Sequence, residues 1–187
     1  MDRLPDTAAL VLIDLQKAID DPRWGSLSNP QVANAAARLL AAWRKSGRPV
    51  IHVQHLSRKA DSPYRPGPPG CDFKPEVAPA PGELLVQKEV NSAFIGTGLE
   101  ALLRTQGIDT LVFGGVLTQN SLETTVRMAA NLGFATYVAA EATSASDIVD
   151  LDGRHWSATE VQALSLANMN SEYATVTDGA ALLGIFG

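Results

Sequence analysis

The sequence predicts an α/β fold: a three-layer α/β/α sandwich around a mainly parallel six-stranded sheet. Its short apolar runs do not alternate with polar residues, which is typical of strands buried on both faces of a parallel sheet. Segments with helix-capping residues separate these runs, so strands and helices alternate along the chain. A length of 187 residues fits a single domain, which we expect to span residues 1–187.

The first half of the chain is predicted to contain three strands and two helices. In order, they are a strand over residues 8–13, a helix over 31–45, a strand over 48–53, a strand over 84–88 and a helix over 98–106. Asn29 and Pro30 supply an N-cap and a first-turn proline for the first helix, and Gly47 ends it. A segment rich in Pro and Gly covers residues 57–82, and loops of this length are usually functional or mobile.

The second half continues the same alternation. Its predicted elements are a strand over residues 110–116, a helix over 121–132, a strand over 136–140, a helix over 157–168 and a strand over 173–176. The most apolar of these strands is the one over residues 110–116. Ser157 and Glu160 form a capping-box pattern at the start of the last helix.

Composition and charge exclude several classes of partner. With 45% hydrophobic and 19% charged residues the chain is globular, and its net charge of −5 does not attract nucleic acid or anionic lipid. Its apolar runs are far shorter than the roughly 20 residues of a membrane helix. One cysteine and the absence of a secretory leader pattern favour a reducing, cytoplasmic setting. We therefore expect a small-molecule substrate, without nucleic acid or membrane as partners.

Three chemically active side chains stand at predicted strand ends. Asp14 follows the first strand, Lys88 ends the third, and Ser121 stands at the N-terminus of the helix after the fourth. Each alone is also typical of a turn, a solvated loop or a helix cap. Because ligands bind beyond the carboxyl ends of strands in open parallel sheets, we expect the three to face one crevice. An acid, a base and a nucleophile position together indicate covalent catalysis.

Three motifs around these residues resemble the isochorismatase-like cysteine hydrolases, which include nicotinamidases and N-carbamoylsarcosine amidohydrolase. The resemblance covers nearly the whole chain. The motifs are residues 12–16 (LIDLQ), Lys88 followed by 91–94 (NSAF) and 96–97 (GT), and residues 115–118 (GVLT) through 123–127 (ETTVR). It implies an isochorismatase-like, Rossmann-like fold, assembly into dimers or tetramers, and hydrolysis of small amide, carbamoyl, lactam or ureido substrates.

The resemblance also implies roles for individual residues. Asp14, Lys88 and the residue at position 121 correspond to an Asp-Lys-Cys triad, in which the cysteine attacks a carbonyl to form a thioester. A non-proline cis peptide is expected between Val116 and Leu117. The backbone N–H groups of Leu117 and Ser121 would then form the oxyanion hole.

Four further side chains are candidates for substrate binding. They are Trp24, Gln54, His55 and Phe94. For Phe94 a place in the core is an equally good interpretation, and Tyr64 and Phe73 of the long segment could cover the site or exchange with a neighbouring subunit. Some relatives hold a metal near the end of the second strand, but this chain has no Asp-x-His arrangement there, so we expect no metal. No glycine-rich phosphate-binding motif is present, so we expect no nucleotide cofactor.

The sequence departs from the family pattern at the nucleophile, where Ser121 stands in place of cysteine. The single cysteine, Cys71, lies in the long segment, and we interpret it as a loop thiol. A thiol of pKa about 8.5 lies about 4.6 units above an aspartic acid, which corresponds to roughly 6 kcal/mol. For a hydroxyl the gap is about 12 units, or roughly 16 kcal/mol, and environmental shifts of about 3 to 5 units cannot close it.

Three interpretations of Ser121 follow, in order of preference. In the first, the chain carries a Cys-to-Ser exchange of the kind made to trap a substrate in an intact pocket. In the second, Ser121 is natural and the reaction needs no covalent step, as in the isochorismatases, which use the aspartate to protonate a vinyl ether. In the third, the chain binds a small molecule or a partner without catalysis.

Overall fold

A computed structural model of the chain describes residues 3–184, and it has helices on both faces of one sheet. The strands among these residues are β1 (Ala9–Ile13), β2 (Val50–His55), β3 (Leu84–Lys88), β4 (Thr110–Val116), β5 (Ala135–Ser144), β6 (Ile148–Val149), β7 (His155–Trp156) and β8 (Thr175–Thr177). The helices are α1 (Val32–Ser46), α2 (Leu99–Thr105), α3 (Glu123–Asn131), α4 (Ala158–Met169) and α5 (Gly179–Gly184).

Six strands form the central sheet in the order β3-β2-β1-β4-β5-β8, and all its pairings are parallel. This confirms the predicted three-layer α/β sandwich. Every residue of β1 is buried, because alternate side chains enter cores on opposite faces of the sheet. Leu10 and Leu12 pack in the cluster that contains α1 and α5, whereas Val11 and Ile13 pack in the cluster that contains α2 and α3.

Several elements differ from the prediction. The helix predicted to begin at Ser121 begins at Glu123, and residues Thr118–Leu122 form a π-helical turn before it. Strand β5 extends to Ser144, past Glu141, which interrupts the apolar pattern. The hairpin of β6 and β7 was not predicted, because its strands have two residues each and leave no periodicity to detect.

The order of the strands places a switch point between β1 and β4. The chain proceeds from β1 to β2 and β3 on one side, and from β4 to β5 and β8 on the other. Gly115 at the end of β4 has a φ of 137°, and a Cβ there would lie 2.2 Å from the carbonyl oxygen of Ile13. Only glycine therefore permits this close approach of the two strand ends, at the edge where ligands bind in open parallel sheets.

The segment from residue 57 to 82, which we call the long loop, folds back over the end of β1. The N–H of Lys74 donates to the carbonyl of Leu15, and the N–H of Lys17 donates to the carbonyl of Asp72. The loop thereby covers the same edge of the sheet as the switch point. Within residues 3–184, no helix combines the length and apolar character that a membrane crossing requires.

Candidate active site

The structure brings Asp14, Lys88 and Ser121 into contact at the carboxyl edge of the sheet. The Nζ of Lys88 donates to Oδ2 of Asp14 at 2.6 Å and to Oγ of Ser121 at 3.2 Å. All three residues are buried, with 3%, 1% and 6% of their surfaces exposed. The lysine therefore bridges the carboxylate and the hydroxyl in a site that is largely screened from bulk water.

Local backbone geometry aims these side chains at one point. Asp14 leaves β1 with a φ of 52°, in the left-handed region, which aspartate tolerates better than most residues. Its N–H is held by the carbonyl of Val53 at 3.0 Å. The peptide between Val116 and Leu117 is cis, as the resemblance implies, and it connects β4 to the π-helical turn that carries Ser121.

Burial shifts the pKa values of Asp14 and Lys88 in opposite directions. It raises the pKa of Asp14, while the charge of Lys88 and the hydrogen bond from Lys88 oppose the rise. It lowers the pKa of Lys88, while Asp14 opposes the fall. In addition, Oδ1 of Asp14 is buried without a hydrogen-bond partner in the described residues. The carboxyl can therefore hold a proton more readily than one in water.

A cavity of about 640 Å³ opens over Asp14 and Ser121. Its wall contains Trp24, His55 and Leu117, three of the residues that the sequence indicated for the site. Its other lining residues include Arg23, Arg58, Lys59, Asp61, Tyr64, Glu89, Asn91 and Asn120. The cavity has the size that is usual for sites that bind small molecules.

Two of the predicted binding residues lie outside this cavity. Gln54 precedes His55 on β2, so its side chain points to the opposite face of the strand, where its amide donates to the carbonyl of Cys71 at 2.9 Å. The ring of Phe94 stacks on Phe134, with centroids 5.9 Å apart, and packs against the core. Neither side chain lines the cavity in this structure, so it gives no support to a role in substrate binding, which stays a prediction for Gln54 and Phe94.

Sequence reasoning did not assign a role to Gln16, a polar side chain that is completely buried. Its amide accepts from the N–H of His55 at 2.8 Å and donates to the carbonyls of His55 and Cys71 at 3.1 and 2.9 Å. It therefore fixes the end of β2 and the long loop beside Asp14. The signal was the LIDLQ motif itself, in which a glutamine follows two residues after the aspartate.

Cys71 is buried in the long loop, and its sulfur lies near the side-chain amides of Gln16 and Gln54, at 3.8 and 3.9 Å. Burial, with the nearby charge of Asp72, raises the pKa of the thiol, which works against formation of a thiolate. In residues 3–184 no three His, Cys, Asp or Glu side chains are placed to hold a metal ion.

Comparisons with known proteins identify the family. Residues 8–181 match the model of the isochorismatase domain. The chain is 37% identical over 183 residues to the uncharacterized isochorismatase family protein YrdC of Bacillus subtilis, covering 98% of each chain. It is 52% identical to an isochorismatase-family crystal structure from Chromobacterium violaceum, with a TM-score of 0.94 and coverage of 98% and 97% of the two chains.

A relative with a named activity is the maleamate amidohydrolase of Pseudomonas putida. It is 34% identical to this chain over 150 residues, which are 71% of this chain and 70% of the relative. The match of the domain model to almost the full chain, the relatives and the shared fold agree with one another. The chain belongs to the isochorismatase family of hydrolases.

Proposed function

We propose that this hydrolase cleaves the carbon–nitrogen bond of a small amide, carbamoyl, lactam or ureido substrate. The observation that carries the proposal is the contact of the Lys88 ammonium with both Asp14 and Ser121 beneath the cavity. The similarity to a maleamate amidohydrolase supports this reaction class. The size of the cavity supports a substrate of low molecular weight.

In the proposed reaction, Asp14 moves the proton and residue 121 forms the covalent bond. The nucleophile at position 121 attacks the carbonyl carbon and passes its proton to Asp14. The carbon–nitrogen bond then breaks, and the nitrogen leaves with the proton from Asp14. Water hydrolyses the resulting acyl intermediate. Lys88 stabilises the negative charge of Asp14, and the N–H groups of Leu117 and Ser121 bind the oxyanion.

Serine makes the first of these steps slow. The Asp14 carboxylate is a weak base, and a hydroxyl lies about 12 pKa units above an ordinary aspartic acid, against about 4.6 units for a thiol. The raised pKa of Asp14 reduces the pKa difference between Asp14 and either nucleophile, the hydroxyl or the thiol. It removes a large part of that difference only for the thiol. The proposed covalent step thus favours a cysteine at position 121, where this chain has a serine.

The exchange Ser121→Cys therefore raises kcat/KM for carbon–nitrogen hydrolysis by at least about a hundredfold. The measurement is release of ammonia or amine from a panel of small amides and ureido compounds. Ser62→Cys is the matched control, because Ser62 lines the cavity and has no contact with Lys88. Equal rates for the folded Ser121→Cys variant and the unsubstituted chain on every compound would contradict the proposal.

A second candidate reaction is the hydrolysis of a vinyl ether such as isochorismate, and the unpartnered Oδ1 of Asp14 favours it. A protonated Asp14 would donate its proton to the vinyl carbon, water would add to the resulting cation, and the hemiketal would release pyruvate. Burial raises the pKa of this carboxyl and so favours the acid form that the step needs. The reaction does not require a nucleophile at position 121.

Removal of the hydroxyl separates the two reactions. Ser121→Ala abolishes carbon–nitrogen hydrolysis and preserves pyruvate release from isochorismate, whereas Asp14→Asn abolishes both. Asp61→Asn serves as control, since Asp61 lines the cavity without contacting Lys88. Ligand-dependent increases in melting temperature without turnover, in both the unsubstituted chain and Ser121→Cys, would instead indicate a binding protein.

A further inference from the structure

His55 occupies a defined place in the site. It ends β2 and pairs in register with Lys88 on β3, so the two side chains extend to the same face of the sheet. Its Nδ1 lies 3.4 Å from the Nζ of Lys88. The ring also makes an edge contact with Tyr64, with centroids 5.7 Å apart. The imidazole is therefore held between a cation and an aromatic ring.

The hydrogen-bond capacity of Lys88 determines which nitrogen of His55 carries the proton. A lysine ammonium has three N–H donors and no acceptor. Lys88 has three neighbouring acceptors, which are Asp14 Oδ2 at 2.6 Å, Ser121 Oγ at 3.2 Å and His55 Nδ1 at 3.4 Å. Nδ1 must therefore present a lone pair to the lysine. In a neutral imidazole the single proton is then on Nε2.

The ring is neutral, and its Nε2 is open to the cavity. Burial, together with the charge of Lys88, lowers the pKa of His55 to about 4. Among residues 3–184, no protein group forms a hydrogen bond with Nε2. The atom is also absent from the fully buried polar atoms without a partner, so it keeps some exposed surface. His55 lines the cavity, and the amide of Gln16 binds both its N–H and its carbonyl.

We propose that His55 orients the substrate: Nδ1 is anchored on the Lys88 ammonium, and the Nε2–H donates to a carbonyl or carboxylate oxygen of the bound molecule. This oxygen is a different one from the attacked carbonyl, which the N–H groups of Leu117 and Ser121 bind. The inference rests on the proposed function for the reaction. The protonation of the ring does not depend on it. The chain accordingly selects substrates with a second acceptor group beside the scissile bond.

The first experiment determines the tautomer by ¹⁵N NMR of histidine side chains in the unsubstituted chain at pH 7. We expect His55 to show an unprotonated Nδ1 and a protonated Nε2. Assignment uses His55→Asn, since the chain has 3 histidines. Lys88→Met shifts the Nδ1 signal, and Lys59→Met, a lysine at the cavity rim, leaves it unchanged. A protonated Nδ1 at pH 7, in either the neutral or the charged ring, would overturn the inference.

The second experiment separates the two nitrogens by kinetics on the best amide of the panel. In His55→Asn the side-chain oxygen replaces the Nδ1 acceptor, so kcat stays within about threefold. No donor replaces Nε2–H, so KM rises about tenfold. In His55→Gln the amide reaches towards the Nε2 position and the Nδ1 acceptor is lost, so kcat falls and KM changes little. The tenfold change corresponds to one hydrogen bond of about 1.4 kcal/mol.

The two experiments fail in distinguishable ways. A purely structural role for His55 predicts equal loss in both variants together with lower melting temperatures, and that pattern would refute the orienting role. The NMR measurement needs no substrate. An unprotonated Nδ1 in a chain that cleaves no amide would therefore refute the proposed reaction and leave the arrangement of His55 and Lys88 intact.

Discussion

Asp14 and Lys88 form a buried ion pair. Replacing one of the two residues lowers the free energy of unfolding more than replacing both. Their side chains are 5% and 0% exposed, and their distance is 2.6 Å. Taking both charges out of water is costly, so the pair adds little net stability, but a single charge left without its partner costs about 3 to 5 kcal/mol. Stability alone therefore does not account for the pair, whereas the proposed reaction uses both groups.

A double-mutant cycle tests this view. Lys88→Met leaves the carboxylate of Asp14 buried without a cation and lowers the free energy of unfolding at pH 7 by about 3 kcal/mol. Addition of Asp14→Asn, which keeps a side chain that tolerates the positive φ, recovers roughly half of that loss. Urea denaturation measures both values, with Lys59→Met as the control. Additive losses in the double variant would contradict the argument.

At the scale of elements, Glu83 fastens the end of the long loop to β2 and α1. Its carboxylate accepts from His52 Nε2 at 2.7 Å, from Arg44 Nε at 2.6 Å and from the N–H of Ala80 at 2.7 Å. Although burial acts in the opposite direction, these hydrogen bonds lower the pKa of Glu83 to about 2. These hydrogen bonds take no part in the proposed reaction, but they anchor the loop that covers the candidate active site.

From the hydrogen bonds of Glu83 we predict that the free energy of unfolding decreases in acid. Because the pKa of Glu83 is lower in the folded chain than the ordinary 4.5, the unfolded chain binds more protons, and the stabilisation is complete above pH 4.5 and is lost as the pH falls towards 2. Glu83→Gln lowers the free energy of unfolding by about 2 kcal/mol at pH 7. The difference from the unsubstituted chain shrinks at pH 3.

Urea denaturation at both pH values checks this prediction. The matched control is Glu89→Gln, because Glu89 pairs with Arg58 on an exposed surface and contributes less than about 1 kcal/mol. A loss in Glu83→Gln that is equal at pH 7 and pH 3 would show that the carboxylate charge is not the source of the stabilisation.

At the scale of the whole molecule, the surface carries large apolar side chains whose exposure to water is unfavourable. Ile148 and Val149 on the hairpin, Leu151 between its strands and Leu164 on α4 are 44%, 65%, 106% and 58% exposed. We expect the chain to assemble with copies of itself, as a dimer or a tetramer. Light scattering after size-exclusion chromatography should give a mass of two or four chains. The mass of one chain at all concentrations would contradict this expectation.

Sequence reasoning predicted the three-layer fold and the meeting of Asp14, Lys88 and Ser121 because both depend on simple rules. Non-alternating apolar runs indicate parallel strands, and polar residues at the ends of parallel strands share one edge of the sheet. The short hairpin of β6 and β7 escaped detection, because strands of two residues each carry no periodicity.

The sequence by itself thus determined the architecture and the meeting of Asp14, Lys88 and Ser121 at one edge of the sheet, while the tertiary structure decided which neighbours surround them. Gln54 and His55 are adjacent in sequence and equally polar, and only the phase of β2 sends His55 into the cavity and Gln54 away from it. Phe94 and Phe134 are 40 positions apart, and only packing shows that their rings stack. Local patterns define elements, whereas the partner of a side chain depends on residues distant in the chain that meet when the sheet and its helices pack together.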